Sequence, residues 1–218
     1  MSDPLRLARA GSYGIRAGLY GIIAGILWLG IVPFPFTASP PSDPSIFLLL
    51  ALFAQIYVLV LLDNAFSKVE ESFGIKEISL SVRTAVLLIV AGMGITVGVG
   101  FWKAEELVNM RYALQSYMGV EDKWLSDAGF REVMGFAPLL LLVLLPEWFF
   151  SLVAAFPLRR AYQRTAEATG IPRFRTAGNL LLWGIVLAPL FIGFLLLFVS
   201  CLIMIVAFAK LRTAAEKA

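Results

Sequence analysis

From Thr176 to Phe208 the chain runs for 33 residues without a formal charge. No other feature constrains the fold as tightly. An apolar run of that length and character belongs in a lipid bilayer. It is also too long to be simple. A straight helix of that length measures about 50 Å at 1.5 Å per residue, whereas the hydrocarbon core is about 30 Å thick. Either the helix tilts and protrudes, or it breaks. Pro189 and Gly193 bracket a short apolar stretch and offer a place to break.

Four more apolar runs precede it. The first, about Ser12 to Phe36, follows a short segment bearing Arg6 and Arg9 and ends in alternating prolines. It has no small-residue cleavage site after its core, so it reads as a membrane helix rather than a signal peptide. Gly14, Gly18, Gly21 and Gly25 are spaced four, three and four apart. That places them on one helix face, where another backbone can approach closely. The second run, Ser45 to Leu62, holds one amide, Gln55, and Asp63-Asn64 closes it. Phe66 to Ser81 reads as a short interfacial helix with a turn at Gly74. The third run, Val82 to Phe101, carries the small-xxx-small pair Gly94 and Gly98. The fourth, Met134 to Phe156, is interrupted by Pro146-Glu147-Trp148, and Pro157 ends it. An arginine-rich helix follows, stopped by Gly170-Ile171-Pro172. Between the third and fourth runs lies Trp102 to Val133, the one sizeable polar stretch. Leu107, Met110, Leu114 and Met118 there have amphipathic spacing, and Trp102, Tyr112, Tyr117 and Trp124 suit the headgroup level.

Composition agrees: 60% of residues are hydrophobic and 15% charged. A soluble domain averages about 45–50% apolar and about 25% charged. The expected fold is all-α: a polytopic membrane helix bundle of five or six transmembrane segments, forming one integral membrane domain over residues 1–218. Charge asymmetry bears on the count. If the N-terminus is cytoplasmic, Arg6, Arg9, Arg16, Lys68, Lys76, Arg83 and the arginines of the 157–176 segment lie inside. Lys103, Arg111, Lys123 and Arg131 lie outside. Six crossings add Lys210, Arg212 and Lys217 to the inside, as the positive-inside rule prefers, whereas length favours five, because a break leaves two segments that are each somewhat short. The expected location is the cell (plasma) membrane with a cytoplasmic N-terminus.

The chain contains no histidine. That removes Ser–His and Cys–His pairs and histidine ligation of zinc or haem. Cys201 is the single cysteine and cannot form an internal disulfide. No nucleophile–base set or glycine-rich phosphate loop is visible, so no enzyme, cofactor or metal is expected. Nothing interleaves aromatics with the basic residues as nucleic-acid binding would require.

Two groups could carry function. Glu147 lies near the middle of the fourth run, where an ionised carboxylate is costly unless paired, hydrogen-bonded or wet. Pro146 beside it removes a backbone donor. Glu147 is therefore either a proton or cation site, with Gln55 and Asn179 as polar neighbours, or a neutral glutamate hydrogen-bonded to a neighbouring helix. Arg159, Arg160, Arg164, Arg173 and Arg175 are either a topology anchor or a contact for anionic lipid headgroups. The partners implied are the lipid bilayer, anionic headgroups, and a second copy or another membrane protein met by the glycine faces. The function expected is a non-enzymatic helix-packing or accessory membrane protein. The alternative is a small transporter or channel using Glu147.

The C-terminal stretch also resembles a known family. Phe174-Arg175-Thr176-Ala177-Gly178, then Leu181-Leu182, Gly184-Ile185, Leu187, Ile192-Gly193-Phe194 and Ile205-Val206-Ala207-Phe208 resemble the end of the archaeal and bacterial membrane proteins called domain of unknown function family 996. Ala161-Tyr162 through Glu167 and Thr169-Gly170 resemble the basic helix before it. Leu7-Ala8-Arg9-Ala10-Gly11 is a fainter echo. Pro189 and Ala209 depart from the family pattern, which has a small or β-branched residue and a second aromatic there. The resemblance implies a multi-pass membrane protein and no particular activity.

Overall fold

The protein is described by a computed structural model covering residues 3–31, 44–109, 135, 137–190 and 192–217. Most of the Trp102–Val133 stretch, including Met110, Tyr112, Leu114, Tyr117, Met118 and Trp124, lies outside the described residues. So do residues 32–43, which include the end of the first apolar run at Phe36.

The described residues are helical and hold no strand. The helices are α1 (Pro4–Ile31), α2 (Pro44–Phe73), α3 (Glu77–Trp102), α4 (Ala137–Thr169), α5 (Arg173–Val186) and α6 (Ile192–Glu216), with a 3-10 turn, Ala188–Leu190, before α6. Each helix packs on the next in chain order, and α6 returns to α1, so the six close a ring. Neighbours are antiparallel. Glycines 11, 14, 18 and 21 of α1 meet Arg212, Phe208, Ile205 and Cys201 of α6 in reverse order. Trp148 and Tyr162 of α4 likewise meet Ile185 and Gly178 of α5. The ring is therefore an up-and-down helical bundle, with Pro4, Gly74, Gly170 and Glu216 all at one end. Among the described residues, four helices are long and apolar enough to cross a membrane, found in α2, α3, α4 and α6.

The last apolar run is broken at Pro189. Ile185 would offer its carbonyl to residue 189, but proline has no N–H. Trp148 Nε1 donates to that carbonyl instead, at 2.9 Å. Leu190 and Gly193 both donate to the Leu187 carbonyl, at 3.0 and 3.1 Å, and the chain reverses. Behind the reversal, Ser200 Oγ donates to the Ala177 carbonyl at 2.8 Å and joins α6 to α5.

Three expected boundaries move. The first helix starts at Pro4, not Ser12, because Asp3 Oδ1 accepts from the Leu5 and Arg6 amides at 3.0 and 3.4 Å. Aspartate before a proline at the first helical position is a strong start signal. Asp63-Asn64 does not close α2, which runs unbroken to Phe73. Asn64 Nδ2 donates to the Val60 carbonyl at 2.9 Å within the helix, and the buried face continues through Ala65, Phe66 and Val69. There is thus no separate interfacial helix over 66–81. Pro157 likewise lies inside α4. Burial of Ala154, Ala155, Leu158, Ala161 and Tyr162 holds the helix together across it.

Both turns at the charged end use one device. Gly74 and Gly170 have φ of +73° and +68°. Their amides donate to the Glu70 and Ala166 carbonyls at 2.6 and 2.9 Å. This is the left-handed helix cap that glycine adopts without steric cost.

The glycine face on α1 is a close helix contact, with one correction. A methyl group on Gly14 would overlap the Phe208 ring, and one on Gly18 would overlap Ile205. On Gly21 it would sit 3.1 Å from Cys201 Sγ, whereas nothing lies within 4 Å of Gly25. Gly25 leaves the set because Leu197, which would meet it one turn on, is turned onto Gly184 of α5. Gly11, pressed against Arg212, takes its place at the other end. We expect Gly18→Leu to lower the melting temperature in detergent by an amount equivalent to about 1–3 kcal/mol, and Gly25→Leu to leave it unchanged. Equal melting of the two variants would contradict the register.

Candidate functional site

Glu147 lies on α4 where it crosses α3. A methyl group on Gly92 would sit 2.7 Å from Phe150 Cβ and 3.4 Å from Glu147 Cα. Gly92, rather than the Gly94 and Gly98 pair, is thus the close contact of the third run. Among the described residues, no atom lies within 4 Å of a β-carbon added at Gly94, Gly98 or Gly100. Gln55 reaches Glu147 from the other side: its Nε2 donates to Glu147 Oε1 at 3.1 Å. The α2 and α4 backbones stay apart along most of their length, so this hydrogen bond crosses the ring. Pro146 also removes the amide that would bond the Leu142 carbonyl.

Asn179 is not part of this constellation. Its Oδ1 accepts from Arg159 Nε at 2.8 Å. That pair ties α4 to α5 nearer the charged end, beside Gly178, which packs on Tyr162. Of the three polar residues singled out from sequence, the fold thus joins Gln55 and Glu147 and sends the third elsewhere.

Between Glu147 and the charged end, an aromatic layer fills the middle of the ring. Phe66, Tyr162, Phe174 and Phe208 come from α2, α4, α5 and α6 and are buried almost completely. Phe66 meets Tyr162 and Phe208 edge-on, with centroids 5.0 and 5.8 Å apart, and Phe174 meets Phe208 at 4.8 Å. Such edge-to-face pairs add about 0.5–1.5 kcal/mol each beyond burial. The Tyr162 hydroxyl donates to Met204 Sδ. No local sequence signal could have found this layer, because its members come from four separate helices.

The arginines divide. Arg159 is half-buried and held by Asn179. Arg164 pairs with Glu77 of α3 at 3.2 Å and with Glu167 at 3.1 Å. Arg160, Arg173 and Arg175 are exposed and make no ion pair with a described residue. Two further pairs link neighbouring helices at the same end: Arg6 with Glu71 at 3.4 Å, and Arg83 with Asp63 at 3.5 Å. Among the described residues, no three Cys, Asp or Glu side chains gather as metal ligands would.

Comparison with curated proteins and with solved structures gives no match. A family model does match: Protein of unknown function (DUF996), over residues 54–202. The chain belongs to this family. The match takes in Gln55, Gly92, Glu147 and the break at Pro189, and extends well upstream of the C-terminal stretch. It stops short of Ile205-Val206-Ala207-Phe208 and omits Leu7–Gly11.

Proposed function

We propose that this member of the family is a non-enzymatic membrane packing protein, with six membrane segments and both described ends on the cytoplasmic face of the plasma membrane. The observation that carries the reading is the aromatic layer, which occupies the middle of the ring where a permeation path would run. The Gln55–Glu147 hydrogen bond then acts as a polar clasp between α2 and α4, and an uncharged glutamate serves it well. The open glycines of α3 leave a small-residue face to which a second copy or another membrane helix can pack. Segment number and orientation follow from charge. The end holding Pro4 and Glu216 also holds Arg16, Lys68, Lys76, the arginines of α4 and α5, and Lys210, and basic residues favour the cytoplasm. The fifth segment is α5 continued by the 3-10 turn. Its 14 helical residues reach only about 21 Å, so the turn must complete the passage. Exposed Arg160, Arg173 and Arg175 are placed to meet anionic lipid headgroups.

One observation favours a second reading. Glu147 is only partly buried, and Pro146 before it loosens the helix, as at a proton or cation site gated by movement of the aromatic layer. Vesicle reconstitution with an internal pH-sensitive dye separates the two. The packing reading predicts that Glu147→Gln folds, melts close to wild type and has the same proton permeability. Proton flux present in the wild type and lost in Glu147→Gln would replace the packing reading with the transport one.

A further inference from the structure

The ring is thinnest between α2 and α3, and a groove of about 330 Å³ opens there, lined by Leu59, Val60, Asp63, Arg83, Val86 and Leu87. Its position along the helices is informative. On α2, residues 56–62 are apolar, and beyond Asp63 come Lys68, Glu70 and Glu71. On α3, Glu77 and Arg83 precede an apolar run from Ala85 to Trp102. The groove therefore straddles the level at which both helices pass from charged to apolar, which is headgroup depth in a bilayer. Its size falls within the range of small-molecule sites.

Its two charges are poorly used. Arg83 Nε and Asp63 Oδ1 are 3.5 Å apart, and the side chains are 63% and 34% exposed. Asp63 Oδ1 is buried without a hydrogen bond from any described residue. The carboxylate thus has a loosely held cation beside it and an exposed remainder facing apolar walls. A half-exposed carboxylate with so loose a partner gains from a further charged donor. Arg83 retains guanidinium N–H groups for an anion.

We propose that the groove holds the headgroup of an amine-bearing phospholipid of the phosphatidylethanolamine type. Its phosphate accepts from Arg83, its ammonium donates to the Asp63 carboxylate, and an acyl chain lies along Val60, Val86 and Leu87. Charge complementarity selects this occupant. A choline headgroup has no N–H to donate, and a phosphatidylglycerol headgroup brings no cation to Asp63. The site lies apart from Glu147 and depends only on the protein being embedded in lipid, so it holds whether the protein packs or transports.

The full chain purified from equimolar phosphatidylethanolamine, phosphatidylcholine and phosphatidylglycerol vesicles, with retained lipid counted by native mass spectrometry, tests it. The wild type should retain the ethanolamine lipid about tenfold over the choline lipid, as one charge-assisted hydrogen bond allows. Asp63→Asn should bring that ratio close to one. Arg83→Gln should lower retention of both. Leu87→Trp, which fills the groove and leaves both charges in place, should displace the ethanolamine lipid too and covers the case of a misfolded charge variant. Phosphatidylglycerol held by Arg160, Arg173 and Arg175 does not enter the ratio. Equal retention of ethanolamine and choline lipids by the wild type would overturn the proposal. So would a ratio unchanged in folded Asp63→Asn and in Leu87→Trp.

Discussion

Gly193→Ala is expected to be among the most damaging single-methyl changes in the chain. A β-carbon at Gly193 would overlap the Ala188 amide nitrogen and the Gly184 carbonyl oxygen. Both are backbone atoms, one in the reversal and one in the last turn of α5, so no rotamer change relieves the clash. Relief requires α5 and α6 to move apart, which would strain the Ser200–Ala177 and Trp148–Ile185 hydrogen bonds. Overpacking a tight core costs about 1–3 kcal/mol where side chains can yield. Here the cost should reach the upper end or exceed it, or about 10 °C in melting temperature for a chain of this size. Gly94→Ala is the control, since nothing lies within 4 Å of its added carbon. Melting in detergent followed by circular dichroism reads both. A Gly193→Ala protein that melts with the wild type would mean that the reversal is not built as described.

The second large effect concerns Phe208. Its ring meets Phe66 and Phe174 edge-on and fills the space that a side chain on Gly14 would need. Phe208→Ala should cost about 3–5 kcal/mol through lost burial and the cavity left behind. Gly14→Ala alone should be destabilising, because its methyl overlaps the ring. Together the two should cost clearly less than their sum, since the methyl enters space the ring has vacated. Coupling energies between contacting residues run to about 0.5–3 kcal/mol. Additive losses in a double-mutant cycle would show that the two side chains do not share that space.

What could be read from the chain follows from the range of the interaction involved. The break at Pro189 was legible only as one of two outcomes: the run exceeds the membrane's thickness, a break leaves two short segments, and charge asymmetry rather than length favoured it. The α1 glycine face was legible because helical spacing is local, and it failed only at Gly25, where the partner helix turns to Gly184. Asp63-Asn64 and Pro157 misled for a shared reason. Each weakens a helix by one bond or one propensity, while burial of the residues beyond them supplies more. Asp3-Pro4 was a readable start signal that the apolar-run criterion passed over. Gln55 and Glu147 are each conspicuous, but they stand 92 residues apart. Nothing local could say that they meet while Asn179 does not. The aromatic layer and the Asp63–Arg83 groove are assembled from separate helices, so they appear only once the ring is closed.

If the final apolar run folds back across the membrane, Lys217 lies on the same side as Pro4. Single cysteines at Ser126, Ala168 and Lys217, introduced into a Cys201→Ser background, test it through labelling by a membrane-impermeant maleimide in sealed vesicles of known orientation. The cysteines at positions 168 and 217 should label from one face and the cysteine at 126 from the other. Labelling of position 217 from the same face as 126 would mean that the run crosses the membrane once as a continuous helix, and would contradict it.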